Sequence, residues 1–131
     1  MTTPFYCLLV IAIFPYLAKL PLAKAMASEG RGYDNKNPRD QQSRLTGWGK
    51  RALAVHMNSF EFTPIFAIAV FMNHLTNMGA APVSAGLAIY VVISRFAYMG
   101  LYLAHQANFR SIVWFSGLIA SFALATASLW G

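Results

Sequence analysis

Four apolar runs, each about as long as a bilayer is thick, leave this chain few ways to fold. They extend from about Thr3 to Lys24, Gly49 to Leu75, Pro82 to Ala104 and Phe109 to Trp130. A membrane span needs roughly 20 residues. In hydrocarbon every backbone N–H and C=O must find a partner inside the protein, so only helices and closed barrels cross. None of the four runs alternates apolar and polar residues as a barrel strand would. The expected fold is therefore all-α: an integral membrane four-helix bundle forming one domain over residues 1–131. Pro15 and Pro21 are expected to bend the first helix. Composition agrees, because only 11% of the residues are charged, against about 25% in a soluble domain.

The first run is read as a retained helix and not a cleaved leader. A signal peptide places positive charge ahead of its apolar run. Here "MTTPFY" is uncharged, and Lys19 and Lys24 follow it.

Charge is concentrated in the connections. The stretch "ASEGRGYDNKNPRDQQSRLTGWGK", Ala27 to Lys50, overlaps the first connection, residues 25–48, and holds Arg31, Lys36, Arg39, Arg44 and Lys50. The turn "TNMGAAP" has no charge, and "HQAN" leads into Arg110. Lys and Arg mark the cytoplasmic side. The first and third connections are thus expected in the cytoplasm, with both termini outside. The formal net charge of +6 is read as a topology signal, and no nucleic-acid partner is expected. The long first connection is expected to be a solvated tether; a partly ordered lid is the alternative. Cys7 is the only cysteine, so no internal disulfide can form.

Polar residues inside the runs carry the functional signal. Arg51, Ala54, Asn58, Glu61 and Ile65 follow one another at steps of three and four residues, which places them on one face of the second helix. Arg51 and Glu61 are about 15 Å apart along that helix and cannot pair. Arg95, Tyr98, Tyr102 and His105 form a similar face on the third helix. In the fourth, Arg110 and Ser111 open the run, and Gly117, Ser121 and Ala125 make a small-residue stripe suited to close helix approach. Given the topology, Arg51, Asn58, Glu61, Arg95, Tyr102 and Arg110 all fall in the cytoplasmic half, with an outer half almost wholly apolar. The expectation is an arginine-rich pocket with one carboxylate, open to the cytoplasm or inner leaflet. A structural ion-pair network centred on Glu61 is the bland alternative. His56, His74 and His105 lack the close spacing of a metal site, and no metal is expected; His56 and His105 together leave a haem as a remote alternative.

These residues resemble a known family. "RALAVHMNSFEFTPIFAIAV", with Asn58 and Glu61 in an N-x-x-E spacing, is similar to the second helix of the MAPEG family, the membrane-associated proteins in eicosanoid and glutathione metabolism. "YDNKNPRDQQSRLTGWGKRA" resembles the first loop of its bacterial branch. "RFAYMGLY" and "FRSIVW" resemble its third helix and the start of its fourth. The resemblance implies a homotrimer in the bacterial cytoplasmic (inner) membrane, with glutathione held between neighbouring subunits near the cytoplasmic face. It implies a transferase or peroxidase acting on lipophilic electrophiles or lipid hydroperoxides. The glutathione-contacting positions would be Asn58, Glu61, Tyr98, Tyr102, Arg110, Ser111 and Trp114, with Arg110 activating the thiolate. Ala54 and Met57 stand where the family often has basic residues, and Tyr98 where it often has histidine. Arg51 and Arg95 are the candidate replacements.

The chemistry is coherent. Glutathione brings two carboxylates, an ammonium and a thiol. Arginine forks bind carboxylates bidentately, Glu61 could meet the ammonium, and a cation near a helix start lowers a thiol's pKa. Two other function classes remain: a non-catalytic membrane subunit or scaffold that keeps the fold, and a small transporter coupled through Glu61.

Overall fold

The computed structural model describes residues 1–131 and contains six helices. These are α1 (Thr3–Ala27), α2 (Pro38–Ser43), α3 (Gly47–Leu75), α4 (Pro82–Leu103), α5 (Ala107–Ala125) and α6 (Ala127–Trp130). Four of them, α1, α3, α4 and α5, are long and apolar enough to cross a membrane. Each carries large apolar side chains on its outer face as well as in the core. On α1, Tyr6, Leu9, Ile13, Tyr16 and Leu20 recur at three- and four-residue steps and are all exposed. On α5, Phe109, Ile112, Phe115, Ile119 and Phe122 do the same. A soluble bundle buries such stripes; here lipid is the solvent that covers them.

Around the bundle the order is α1, α3, α5, α4, so that α1 packs on α3 and α4 packs on α5. The core between them holds Ile11, Phe62, Phe66, Val70, Val91 and Leu124. At Gly117, α5 passes close to Ser94 of α4. A Cβ there would stand 2.5 Å from Ser94 Oγ, so the small residue is required by space, as its stripe predicts.

Three features depart from the sequence expectation. The fourth helix does not run on to Trp130: α5 stops at Ala125, and a short α6 follows after Thr126. The Leu124 carbonyl, which a continuous helix would bond to residue 128, instead accepts from Asn73 Nδ2 at 3.1 Å. The outer half is also less apolar than expected, because Asn73 is fully buried and donates as well to Ser84 Oγ at 2.8 Å.

The third departure is the first connection, which is not a free tether. Gln41 of α2 is buried, and its Nε2 donates toward Met26 O, Glu29 Oε2 and Gly32 O at 3.0 Å each. Its Oε1 accepts from the Asp34 backbone N–H at 2.9 Å. One side chain thus ties the last turn of α1, at Met26 O, to the loop that follows it, at Glu29 and Gly32. Leu45 packs beside Leu22, Met26 and Ala52. The loop is an ordered lid across the basic end of α1 and α3. Differences at the other helix ends are small, and α1 is continuous through Pro15 and Pro21.

Candidate functional site

The site is built at the basic end of the bundle, where α3, α4 and α5 meet. Asn58 from α3, Tyr98 and Tyr102 from α4, and Arg110, Ser111, Trp114 and Phe115 from α5 line a cleft of about 230 Å³. A second hollow of about 350 Å³ adjoins it, sharing Tyr102 and Arg110 and adding Lys50, Arg51, Ala54 and His105. Ligand sites usually run from about 300 Å³ upward, a size that the two hollows reach together.

Helix geometry explains who meets whom. On α4, residues 95, 98 and 102 stack on one face, and that face looks across the bundle toward α3. On α5, Arg110 and Trp114 are one turn apart on the side turned to α4. The Arg110 guanidinium carbon lies 3.9 Å from the centre of the Tyr102 ring, a stacked cation–π contact that fixes its direction. Tyr98 and Tyr102 meet edge to face at 5.5 Å. The chain reverses between α4 and α5 at His105, whose φ of 62° is left-handed. The Gln106 and His105 amides return to the Leu101 and Tyr102 carbonyls at 2.9 and 3.1 Å, the double closure that ends helices on a left-handed residue.

Arg95 does not line the cleft. It is 2% exposed and lies behind Asn58 and Tyr98. Its guanidinium carbon is 4.4 Å from the centre of the Phe62 ring and 4.5 Å from that of Tyr98. Nη2 donates to Asn58 Oδ1 at 2.7 Å, while Nη1 has no partner. Glu61 also stands apart. It is exposed and opens onto a separate groove of about 470 Å³ with Arg39, Gln42, His56, Met57 and Phe60. No carboxylate pairs with Arg95, Arg110 or Arg51 inside the chain, so the Glu61-centred ion-pair network is absent. Arg51 has a buried Nε with no acceptor.

Arg110 and Ser111 do not supply free backbone donors, because α5 begins three residues earlier, at Ala107. The Arg110 N–H already bonds Gln106 O at 3.0 Å, and the Ser111 hydroxyl donates to Ala107 O at 3.0 Å. Any help to an anion there comes from the Arg110 side chain and not from loose amides.

Sequence reasoning missed three groups. Phe115 forms the lipid-facing lip of the cleft; its place one residue beyond Trp114 was the available signal. Asn73 and Ser84 tie α3 to α4 at the far end, foreshadowed only by a lone amide in an apolar run. His56 Nδ1 lies 2.9 Å from the Pro15 carbonyl, which identifies Nδ1 as the protonated nitrogen and gives that histidine a structural task between α1 and α3.

A four-span membrane bundle with a cationic, aromatic-walled cleft between three helices at one end defines the class. Within that class the chain belongs to the MAPEG family, whose model matches residues 3–130. No curated protein and no solved structure matches it.

Proposed function

We propose that this protein is a glutathione-dependent transferase or peroxidase acting on lipophilic electrophiles or lipid hydroperoxides. The observation that carries the reading is a cleft rich in cations and lacking a carboxylate. Arg110 sits at its wall, Arg51 and Lys50 at its mouth, and Arg95 behind it. Such an arrangement is complementary to an anionic ligand. A thiol peptide meets it with two carboxylates and, once ionised, a thiolate.

In this reading the ligand's carboxylates lie toward Arg51 and Lys50, and its sulfur toward Arg110. The Arg110 guanidinium, held against Tyr102, stabilises the thiolate and keeps the anion populated near neutral pH. Tyr98 and Tyr102 offer hydroxyls to the same region. The lipophilic partner reaches the sulfur from the bilayer past Phe115 and Trp114, so the two substrates need not share a route. In conjugation the thiolate forms a bond to the electrophilic carbon as a leaving group departs or, in an addition, as the neighbouring atom takes up a proton and stays in the product. With a hydroperoxide it attacks the terminal oxygen; the S–O bond forms as the O–O bond breaks, the alkoxide takes a proton and leaves as the alcohol, and a second thiol reduces the resulting sulfenic acid to a disulfide and water.

The assembly follows from the same surfaces. Met57, Glu61, Pro64, Ile68, Met72 and Leu75 form one exposed stripe along α3. A carboxylate in the middle of a lipid-facing stripe is costly, and a second copy gives it a polar partner. We place the homotrimer's contacts there, with the cleft covered by the neighbour, in the cytoplasmic membrane with both termini outside.

One observation favours a second reading. Ala54 lines the mouth with a methyl group and no charge, and a cleft that fails to hold glutathione would make the protein a non-catalytic subunit. Calorimetric titration of glutathione into the purified protein decides between them. Binding heat that disappears when glutathione is replaced by its diethyl ester supports a site that reads the ligand's carboxylates. The absence of heat with both ligands rejects it in favour of the scaffold.

A further inference from the structure

We propose that Arg95 is a positioning residue that locks the Asn58 side chain as a hydrogen-bond donor to the cleft's ligand. The two ends of a carboxamide look alike in shape, and their assignment depends on what surrounds them. Here the surroundings decide it. A guanidinium has five N–H donors and no acceptor, so the amide end 2.7 Å from Arg95 Nη2 is the oxygen. The NH₂ end is therefore turned away from Arg95. It has no partner in the chain, and Asn58 lines the cleft. The cleft accordingly receives two N–H donors at this point.

Arg95 is well placed to hold that orientation. It is enclosed by the Phe14, Phe62 and Tyr98 rings, and it reaches Asn58 from the opposite diagonal helix. A buried guanidinium is expensive to leave without an acceptor, so rotation of the amide by a half turn is penalised twice: a donor would face a donor, and an acceptor would face an incoming anion. The positive charge behind the amide also polarises its N–H groups outward. Arg95 thus acts on the ligand through Asn58 while never touching it, which is consistent with its 2% exposure. The ligand atom that Asn58 meets is an acceptor: a carboxylate or carbonyl oxygen, or a thiolate. That the ligand is glutathione rests on the function proposed above; the orientation of the amide does not.

Asn58→Asp separates this role from a structural one, because it should move stability and binding in opposite directions. The new carboxylate pairs with Arg95, so the variant should melt at a higher temperature than the wild type. It also replaces two donors with an acceptor, so glutathione affinity should fall roughly tenfold or more. Asn58→Ala should lower both. Arg95→Met should weaken glutathione binding, and Arg95→Lys, which keeps a donor toward Oδ1, should recover most of that loss. A lower melting temperature in Asn58→Asp, matching Asn58→Ala, would overturn the amide assignment. So would an Asn58→Asp protein that binds glutathione as tightly as the wild type. If the wild type itself gives no glutathione heat, the thiol reading is rejected, and the melting comparison alone confirms or overturns the amide orientation.

Discussion

At the scale of single residues, Arg110 carries the most exposed prediction. It is the one guanidinium in the cleft wall, aimed by its stack on Tyr102. Arg110→Ala should reduce glutathione conjugation by about 10²- to 10³-fold, the usual cost of one preorganised charge donor. Arg110→Lys should recover part, since it keeps the charge and loses the fork. Steady-state rates with a lipophilic electrophile, read beside the ultraviolet absorbance of the bound thiolate, check both; unchanged rates in the alanine variant would remove Arg110 from the chemistry. Asn58, Tyr98 and Tyr102 were legible as neighbours because steps of three and four residues report a shared helix face, and Arg110 because it opens a run at the same depth. Depth was not legible. Arg95 shares the face of Tyr98, yet its length carries it inward among three aromatic rings, and no spacing pattern encodes that. Glu61 fails for a different reason. Three residues advance a helix by about 300°, so Glu61 lies about 60° around α3 from Asn58, enough to turn it out of the cleft onto the exposed stripe.

At the scale of helices and their ends, apolar length alone located the four spans. Their terminations were harder to read, because they depend on groups distant in sequence. α5 stops where Asn73 of α3 captures a carbonyl, and the first loop is ordered because Gln41 reaches back to α1. Neither partnership has a local signature. The reversal at His105 leads to a second prediction. Asn77 and His105 both hold left-handed backbone at the end of a span, with φ of 62°. Asparagine tolerates that region; histidine does so at a cost of about 1–2 kcal/mol relative to glycine. His105→Gly should therefore stabilise the protein by about 1 kcal/mol in thermal or denaturant melts. Because His105 also lines the cationic mouth, the same variant should bind glutathione more weakly. A stabilised variant with unaltered affinity would show that the strained residue is not there for the ligand.

At the scale of the whole molecule, orientation is the first matter to test. The basic lid, α2 and the starts of α3 and α5 all lie at one end of the bundle, and positive charge favours the cytoplasmic side. Asn35 is exposed at the lid's surface. A cysteine placed there, in a Cys7→Ser background, should react with an impermeant maleimide only after the membrane is opened. Labelling in intact spheroplasts would reverse the topology.

The spans also differ in length, 29 residues in α3 against 19 in α5. At 1.5 Å per residue these are about 43 and 28 Å, around a hydrocarbon layer of about 30 Å. α5 is thus barely long enough to cross, and Arg110 sits only three residues inside its first turn. The thickness of the surrounding lipid therefore becomes a control on the site. A thin bilayer leaves Arg110 at the headgroups, where a water-borne anion can reach it. A thick one draws it toward hydrocarbon, or forces α5 upright against tilted neighbours, at a cost of fractions of a kcal/mol for each ångström of mismatch. Reconstituted in phosphatidylcholines of increasing chain length, the protein should lose glutathione affinity as the acyl chains lengthen. The same sequence would then work differently in membranes that differ in nothing but width.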